Sequence, residues 1–296
     1  MARRQVEMNC FNEYNPIKLL AVRSAVHAFA SDERLDRDWK SLRYHQRPNL
    51  QPAIEEHLKF IEVIQAHGAE IVNLHDHENL TLDSIYTRDA LIVSAAGLIL
   101  CNMGRQSRNH EPGINAAQLE NAGFPIAGQI HSPGTVEGGD FIWLDETNAA
   151  IGKGPRTNEE GIRQLQNLLE RKVKLHVVPL PAPGHPDDVF HLMSMISPVD
   201  VDLAVIYRPL MPDPFLSWLT KRGIQFVEVP EIEFLPMGCN VLATGPRRVL
   251  MLDNLPETRA RLEAAGCDVT VYKGDEISRK GEGGPTCLTR PLLRGC

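Results

Sequence analysis

The sequence lacks a long apolar run. Its longest, Ala90 to Cys101, is too short to cross a bilayer and carries the small residues of a buried strand. It also lacks a basic cluster. With a net charge of −7 and no Lys/Arg run, it is poorly suited to a phosphate backbone, so nucleic acid is not an expected partner. Cys10, Cys101, Cys239, Cys267, Cys287 and Cys296 include no CxxC pair. They read as reduced intracellular thiols, neither a disulfide framework nor a zinc site. No apolar stretch follows the basic start Met-Ala-Arg-Arg-Gln, so no secretory signal is expected and cytoplasm is the default location. What remains is an ordinary globular composition, 43% hydrophobic and 23% charged over 296 residues. That suffices for a sizeable core, and no linker divides the chain, so residues 1–296 read as a single domain.

One pattern recurs: an amphipathic helix, a short break, then a β-branched strand. Helices are predicted over Ala53–His67, Ile114–Ala122, Asn158–Arg171, Pro214–Arg222 and Glu257–Ala265. The breaks are Gly68, Gly123, Lys172, Gly223 and Gly266, with glycine where a left-handed cap is least strained. Thr157 with Glu160, and Asn254 with Glu257, look like helix-start signals. Further strand-like runs are Ile17–Val22, Ala90–Leu100, Phe141–Leu144, Asp202–Ile206, Asn240–Ala243 and Val249–Leu252. Each repeat thus holds one helix and two or three strands. A linear solenoid would show stronger identity between copies. Five unlike units suggest a closed ring, strands around a central channel and helices outside: an α/β fold, a five-bladed α/β propeller of pseudo-repeated ββαβ units.

Catalytic residues concentrate on loops of rigid scaffolds, which directs attention to polar residues beside glycine at strand ends. Four places stand out: Asp83-Ser-Ile-Tyr-Thr-Arg-Asp89, Glu137-Gly-Gly-Asp140, Phe190-His191-Leu192 and Gly281-Glu-Gly-Gly-Pro-Thr-Cys287. A cysteine after a Gly-rich turn can present its sulfur to backbone N–H groups, which lower a thiol pKa. A distant histidine can reach it in the fold. Each feature has a plainer reading: a structural turn for Cys287, a core or loop histidine for His191, a carboxylate-capped turn for Glu137–Asp140, a local ion pair for Arg88-Asp89. For metals, His75-Asp76-His77 is the one local cluster. It lacks further ligands at recognisable spacing and reads as a solvated loop, so no metal and no cofactor is expected.

Taken together and in order, these residues resemble those of the guanidino-group modifying enzymes: dimethylarginine dimethylaminohydrolase, arginine deiminase and the amidinotransferases. Val136-Glu-Gly-Gly-Asp140 is similar to the family's Glu-x-Gly-Asp strand. Ile151-Gly-Lys-Gly-Pro-Arg-Thr-Asn-Glu-Glu-Gly161 resembles a segment of bacterial dimethylarginine hydrolases, and Gly283-Gly-Pro-Thr-Cys287 resembles the terminal nucleophile motif. The resemblance spans nearly the whole chain and implies a five-bladed α/β propeller. It implies Cys287 as nucleophile, His191 as acid and base, and Glu137 as the carboxylate binding the guanidinium and holding His191. It implies Asp89 as a second contact to that cation, and Asp83 and Asp140 as further acidic residues at the substrate. Arg108 and Arg156 fall where the dimethylarginine hydrolases carry arginines for the amino-acid carboxylate, a planar contact that Arg suits. A surface charge is the plainer reading of either. The implied partner is a small guanidino compound, and the implied assembly is a homodimer.

Two positions bear on specificity. Met193 stands where arginine deiminases carry Asp, leaving apolar room for a substituted guanidine, whereas Tyr86-Thr-Arg-Asp89 resembles deiminases and amidinotransferases. Hydrolysis of arginine or an N-substituted arginine to citrulline and an amine is the reading preferred here, because transfer needs a second amine pocket. The alternatives are arginine deiminase or dihydrolase, amidinotransferase, and a non-catalytic binding protein on the same fold.

Overall fold

A computed structural model describes Met8, residues 10–182 and residues 190–296. The strands in chain order are β1 (Ile17–Val22), β2 (Glu70–Asn73), β3 (Leu91–Ser94), β4 (Gly97–Leu100) and β5 (Ile126–Gln129). They continue with β6 (Phe141–Asp145), β7 (Asn148–Lys153), β8 (Lys174–Pro179), β9 (Ile196–Asp200) and β10 (Leu203–Ile206). The last are β11 (Gln225–Glu228), β12 (Leu242–Gly245), β13 (Arg248–Leu252), β14 (Asp268–Tyr272) and β15 (Arg290–Arg294). They form five three-stranded sheets: β15-β1-β2, β3-β4-β5, β6-β7-β8, β9-β10-β11 and β12-β13-β14.

Every sheet is built alike. Its first strand runs antiparallel to the middle one, a helix crosses over, and the third strand returns parallel to the middle. The crossover helices are Leu50–Ala66, Glu111–Asn121, Glu159–Leu168, Asp213–Lys221 and Pro256–Ala264. First and middle strands are almost wholly buried (Leu91–Ser94 and Leu203–Ile206 throughout), while third strands are half exposed. The first strands lie against one another: the Trp143 indole on β6 donates to the Val93 carbonyl on β3, and β9 packs on β12. The ring closes where the last strand, β15, pairs with the first, β1.

The ββαβ repeat is present with these differences. Ala90–Leu100 is a hairpin, not one strand. The strands β7, β9 and β15 went unrecognised; the last two carry Pro198 and Pro291, which ordinarily argue against a strand. Both lie at a sheet edge, where a missing N–H breaks no ladder. Gly68, Gly123, Gly223 and Gly266 all take positive φ after their helices. The helix at Glu159 is capped by Asn158, whose Oδ1 accepts from Gly161 N at 2.8 Å, so Thr157 is released for another task. Asn254 caps nothing. The helix at Pro256 is capped from outside, by Glu233 accepting from Glu257 N and Thr258 N at 2.8 and 2.7 Å.

The cysteine reading needs correction, because Cys10 and Cys296 are bonded to each other across 286 residues of sequence. No local spacing announces such a pair. It exists because β15 closing on β1 brings the two chain ends together. Cys101, Cys239, Cys267 and Cys287 are free. No helix among the described residues is long and apolar enough to cross a membrane.

Candidate active site

Each sheet contributes one side chain from the segment leading into its first strand. Asp89 precedes β3, Glu137 precedes β6, His191 precedes β9, Asn240 precedes β12 and Cys287 precedes β15. The repeat thereby places five points of the chain, far apart in sequence, at equivalent positions of the five sheets.

The Cys287 turn is fixed from two sides. Asn240 Oδ1 accepts from Thr286 N and Oγ1 at 3.0 and 2.7 Å, while its Nδ2 donates to Cys287 Sγ at 3.2 Å. Arg88 supplies Nε to the Thr286 carbonyl at 3.0 Å and its backbone N–H to the Cys287 carbonyl at 3.2 Å. Gly284 is glycine because a Cβ there would come within 2.5 Å of the Asn240 carboxamide carbon. The sequence reading expected the turn to lower the thiol pKa. Burial and the Asp89 charge instead push it up, and the Asn240 amide and the Thr286 hydroxyl offset this in part.

His191 begins a short 3-10 turn, with Ser194 Oγ accepting its N–H at 3.1 Å. Its Nε2 lies 2.7 Å from Glu137 Oε2, and its Nδ1 lies 3.9 Å from Asp89 Oδ1. Burial alone would lower the imidazole pKa. The surrounding Asp89, Asp140 and Glu137 carboxylates outweigh that and raise it to about 9. Glu137 is completely buried, which would raise its pKa. The bond to His191 and the charges of His191, Arg156 and Arg108 bring it down to about 2, so it stays ionised. Its Oε1 accepts the Arg105 backbone N–H at 2.9 Å and lies 3.6 Å from Arg156 Nη1.

Asp89 and Arg88 do not form the local pair that their adjacency allows. Asp89 Oδ2 takes Arg108 Nη1 at 2.5 Å, while Arg88 Nη1 turns to Glu13 at 3.2 Å. The other Asp89 oxygen, Oδ1, is buried with no hydrogen-bond partner among the described residues. A buried, unsatisfied carboxylate oxygen beside a thiol marks a place for a cation.

Two residues read as substrate contacts are occupied otherwise. Arg108 is buried and spends its guanidinium on Asp89, on both oxygens of Glu111 and on the Tyr86 carbonyl. It fixes Asp89 in place and does not reach outward for a carboxylate. Asp140 accepts from Thr157 Oγ1 at 2.6 Å and from Leu192 N at 3.0 Å, which ties down the turn carrying His191. Burial raises Asp140 to about 6.

Asp83 is buried, its Oδ2 3.1 Å from Arg105 Nη1, and burial raises its pKa despite that neighbour. Arg105 was missed by the sequence reading, as was Asn240. Arg105 keeps 16% of its side chain exposed and joins Asp83, Glu137 and the Leu42 carbonyl. Asn240 had a signal: it sits ahead of β12 where the other four sheets carry their site residues.

Met193 is also placed differently from its expected role. It packs in the core with Leu192, Ile142 and Ile206. The apolar wall of the cleft that exposes Cys287 and His191 comes from Phe190, Phe234, Leu235 and Met237. His75-Asp76-His77 gathers no ligand set, since Asp76 pairs with Arg34 at 2.6 Å. Among the described residues, the group with donor atoms close enough to share an ion is Asp89, Glu137 and His191, all within 4.8 Å. Of these, His191 lines the cleft that Cys287 lines, and the Asp89 charge acts on the thiol.

A ring of five ββαβ units with a thiol, an imidazole and paired carboxylates at one end defines a guanidino-group modifying enzyme of the pentein superfamily. Within it, the chain belongs to the family described as N,N dimethylarginine dimethylhydrolase, eukaryotic, whose model matches residues 27–294. The N(G),N(G)-dimethylarginine dimethylaminohydrolase of Streptomyces coelicolor is 27% identical over 80% of this chain and 84% of its own. The structure of a Pseudomonas aeruginosa dimethylarginine dimethylaminohydrolase mutant complexed with citrulline superposes with a TM-score of 0.75 at 24% identity. It covers 95% of this chain and 100% of that one. SxtG, an amidinotransferase from Microseira wollei, superposes with a TM-score of 0.81 at 16% identity, over 98% of both chains. At those identities the two structures establish the shared fold.

Proposed function

We propose that the protein hydrolyses the guanidinium group of an N-substituted arginine, releasing citrulline and an amine. The observation that carries this is the convergence, at one end of the ring, of the Cys287 thiol, the Glu137-held imidazole and the unpartnered Asp89 oxygen. A guanidinium is planar, cationic and a poor electrophile, so it needs carboxylates to orient it and a soft nucleophile to attack it. Asp89 Oδ1 and Glu137 take its N–H groups. The bound cation then supplies the positive charge that the raised thiol lacks, favouring the thiolate beside it.

Cys287 Sγ forms a bond to the guanidinium carbon. The C–N bond to the departing amine breaks as His191 gives that nitrogen its proton. The imidazole, now neutral, takes a proton from water as the water oxygen bonds to the same carbon. The C–S bond then breaks, the electron pair returns to sulfur, and the remaining O–H proton passes to the released amine or to solvent as the C=O of the ureido product forms. Arg105, paired with Asp83 and more exposed than Arg108 or Arg156, is the better placed arginine for the substrate's carboxylate, with Arg156 against Glu137. The apolar wall of Phe190, Phe234, Leu235 and Met237 favours an alkylated leaving amine over ammonia.

The test is a panel of arginine, methylarginines, agmatine and canavanine with mass spectrometry of the products. Citrulline with methylamine or dimethylamine is the expected result. Citrulline with ammonia as the best turnover would make the protein a deiminase, and ornithine with a new guanidino compound would make it a transferase.

A further inference from the structure

Farther along the first strands, away from Cys287, lies a second cavity of ≈ 30 Å³ whose polar lining is Arg88, Arg290, Arg294, Asn12 and Glu13. The three arginines are between 1% and 5% exposed. Each keeps a buried nitrogen without a hydrogen-bond partner: Nη2 of Arg88, Nε of Arg290 and Nη2 of Arg294. Native interiors leave few such groups, and buried charges are ordinarily paired.

Among the described residues, Glu13 is the one carboxylate lining the cavity. It lies 3.2 Å from Arg88 Nη1, but 3.8 Å from Arg294 Nη2, beyond hydrogen-bonding reach. Asp89, the other carboxylate whose field reaches Arg290, does not line the cavity: its Oδ2 is held by Arg108. Three guanidiniums thus face one carboxylate. Burial, with Arg88 nearby, lowers Arg290 to about 9 and Arg294 to about 10, so both still carry their charge at neutral pH.

We propose that this cavity is an anion site of halide size, in which Arg88, Arg290 and Arg294 hold a chloride ion. The donors decide the size: each guanidinium offers one unpartnered nitrogen, which makes three separate points for a spherical ion and no parallel pair of N–H groups for a carboxylate or phosphate. The chemistry decides the sign: the unsatisfied groups are all cationic donors, whereas a water would bring two donors of its own to a site with a single carboxylate. Arg88 also carries the Thr286 carbonyl on its Nε, so an ion on its Nη2 braces the turn that presents Cys287 from behind.

The experiment compares thermal melting of the full chain in sodium chloride, sodium bromide and sodium gluconate at one ionic strength, with crystals grown in bromide. A saturable rise in Tm with chloride and bromide over gluconate is expected, with an anomalous bromide peak among the three arginines. Arg294→Gln should weaken the apparent halide affinity at least about ten-fold, as loss of a charged hydrogen bond does. Glu13→Gln, which removes the competing carboxylate, should tighten it; the opposite signs keep the test decisive if one variant fails to fold. Absence of the bromide peak, or an equal Tm rise in the wild type and the folded variants, would overturn the proposal.

Discussion

Two clusters of buried charge carry opposite surplus, one around the Cys287 turn and one around Arg290 and Arg294. In the Cys287 cluster, Asp83, Asp89, Glu111, Glu137 and Asp140 are met by Arg105, Arg108, Arg156 and His191. Two carboxylate oxygens lack a hydrogen bond: Asp83 Oδ2, which still faces Arg105 at 3.1 Å, and Asp89 Oδ1, which is left over beside the thiol. In the other cluster Arg88, Arg290 and Arg294 face Glu13, and what is left over is donor nitrogen. Most of both sets come from the first strands or the segments leading into them, and Arg105, Arg108 and Glu111 are added from the loop and helix after β4. In each case the unsatisfied group, more than the number of charges, says what the site takes: a planar cation in one cluster, a small anion in the other. Arg88 belongs to both, with its backbone and Nε under the nucleophile turn and its Nη2 unpartnered.

The comparison breaks most visibly at the thiol. Cys287→Ser should reduce turnover at least about 10³-fold, because an alcohol is a far weaker nucleophile toward a resonance-stabilised carbon. Substrate binding should persist, since the carboxylates are untouched; calorimetry with the best substrate checks this. Near-normal turnover would remove Cys287 from the mechanism. Glu137→Gln comes next, with a loss of about 10²-fold, the lower range for a disabled proton-transfer group. Its pH signature is more specific. His191 is held at about 9, so the protonated form able to serve the leaving amine predominates below that pH. With a neutral partner on Nε2, the alkaline limb of kcat should move down. The same linkage acts on stability. A histidine raised from 6.5 to about 9 stabilises the fold fully below pH 6.5, and this is lost as pH rises through about 9. Melting curves across that window should flatten in the Gln variant.

How much of this was legible depended on whether the signal was local. The five units were visible because helix periodicity and a following glycine are local, and Gly68, Gly123, Gly223 and Gly266 serve as read. Cys287, His191, Glu137 and Asp89 stood out as polar residues beside glycine or at a strand start, and the ring brings them together. Side-chain direction was not legible. Arg108 and Arg105 sit three residues apart in one loop, and only packing shows that Arg108 is consumed by Asp89 and Glu111 while Arg105 pairs with Asp83 and stays partly exposed. The Cys10–Cys296 bond was likewise invisible, because it depends on ring closure. The helix cap supplied by Glu233 crosses from another segment of the chain, so no window around Pro256 contains it.

That loop gives the next prediction. Arg105→Met should raise KM about ten-fold with kcat less affected, the pattern of a contact made equally to substrate and transition state. Arg108→Met should instead cost about 3–5 kcal/mol of stability, because it strands buried Asp89 and Glu111. Urea unfolding of both variants beside their kinetics separates the roles. If Arg105→Met unfolds and Arg108→Met shifts KM alone, their assignments are reversed.

The smallest effect is expected at Asn240, and it tests whether the fourth of the five ring positions belongs to the site. Its Nδ2 is a donor to Sγ, and its Oδ1 holds the residue before the nucleophile. Asn240→Asp keeps the size and the acceptor but replaces the amide donor with a second negative charge near a thiol already raised by Asp89. The thiolate should become harder to form, so the pH midpoint for alkylation by iodoacetamide should rise in the free enzyme. Binding a guanidinium should narrow the difference between variant and wild type, because the cation lowers the thiol in both. An alkylation midpoint unchanged by the substitution would mean that Asn240 is only part of the turn's scaffold, and that four sheets, not five, act on the sulfur.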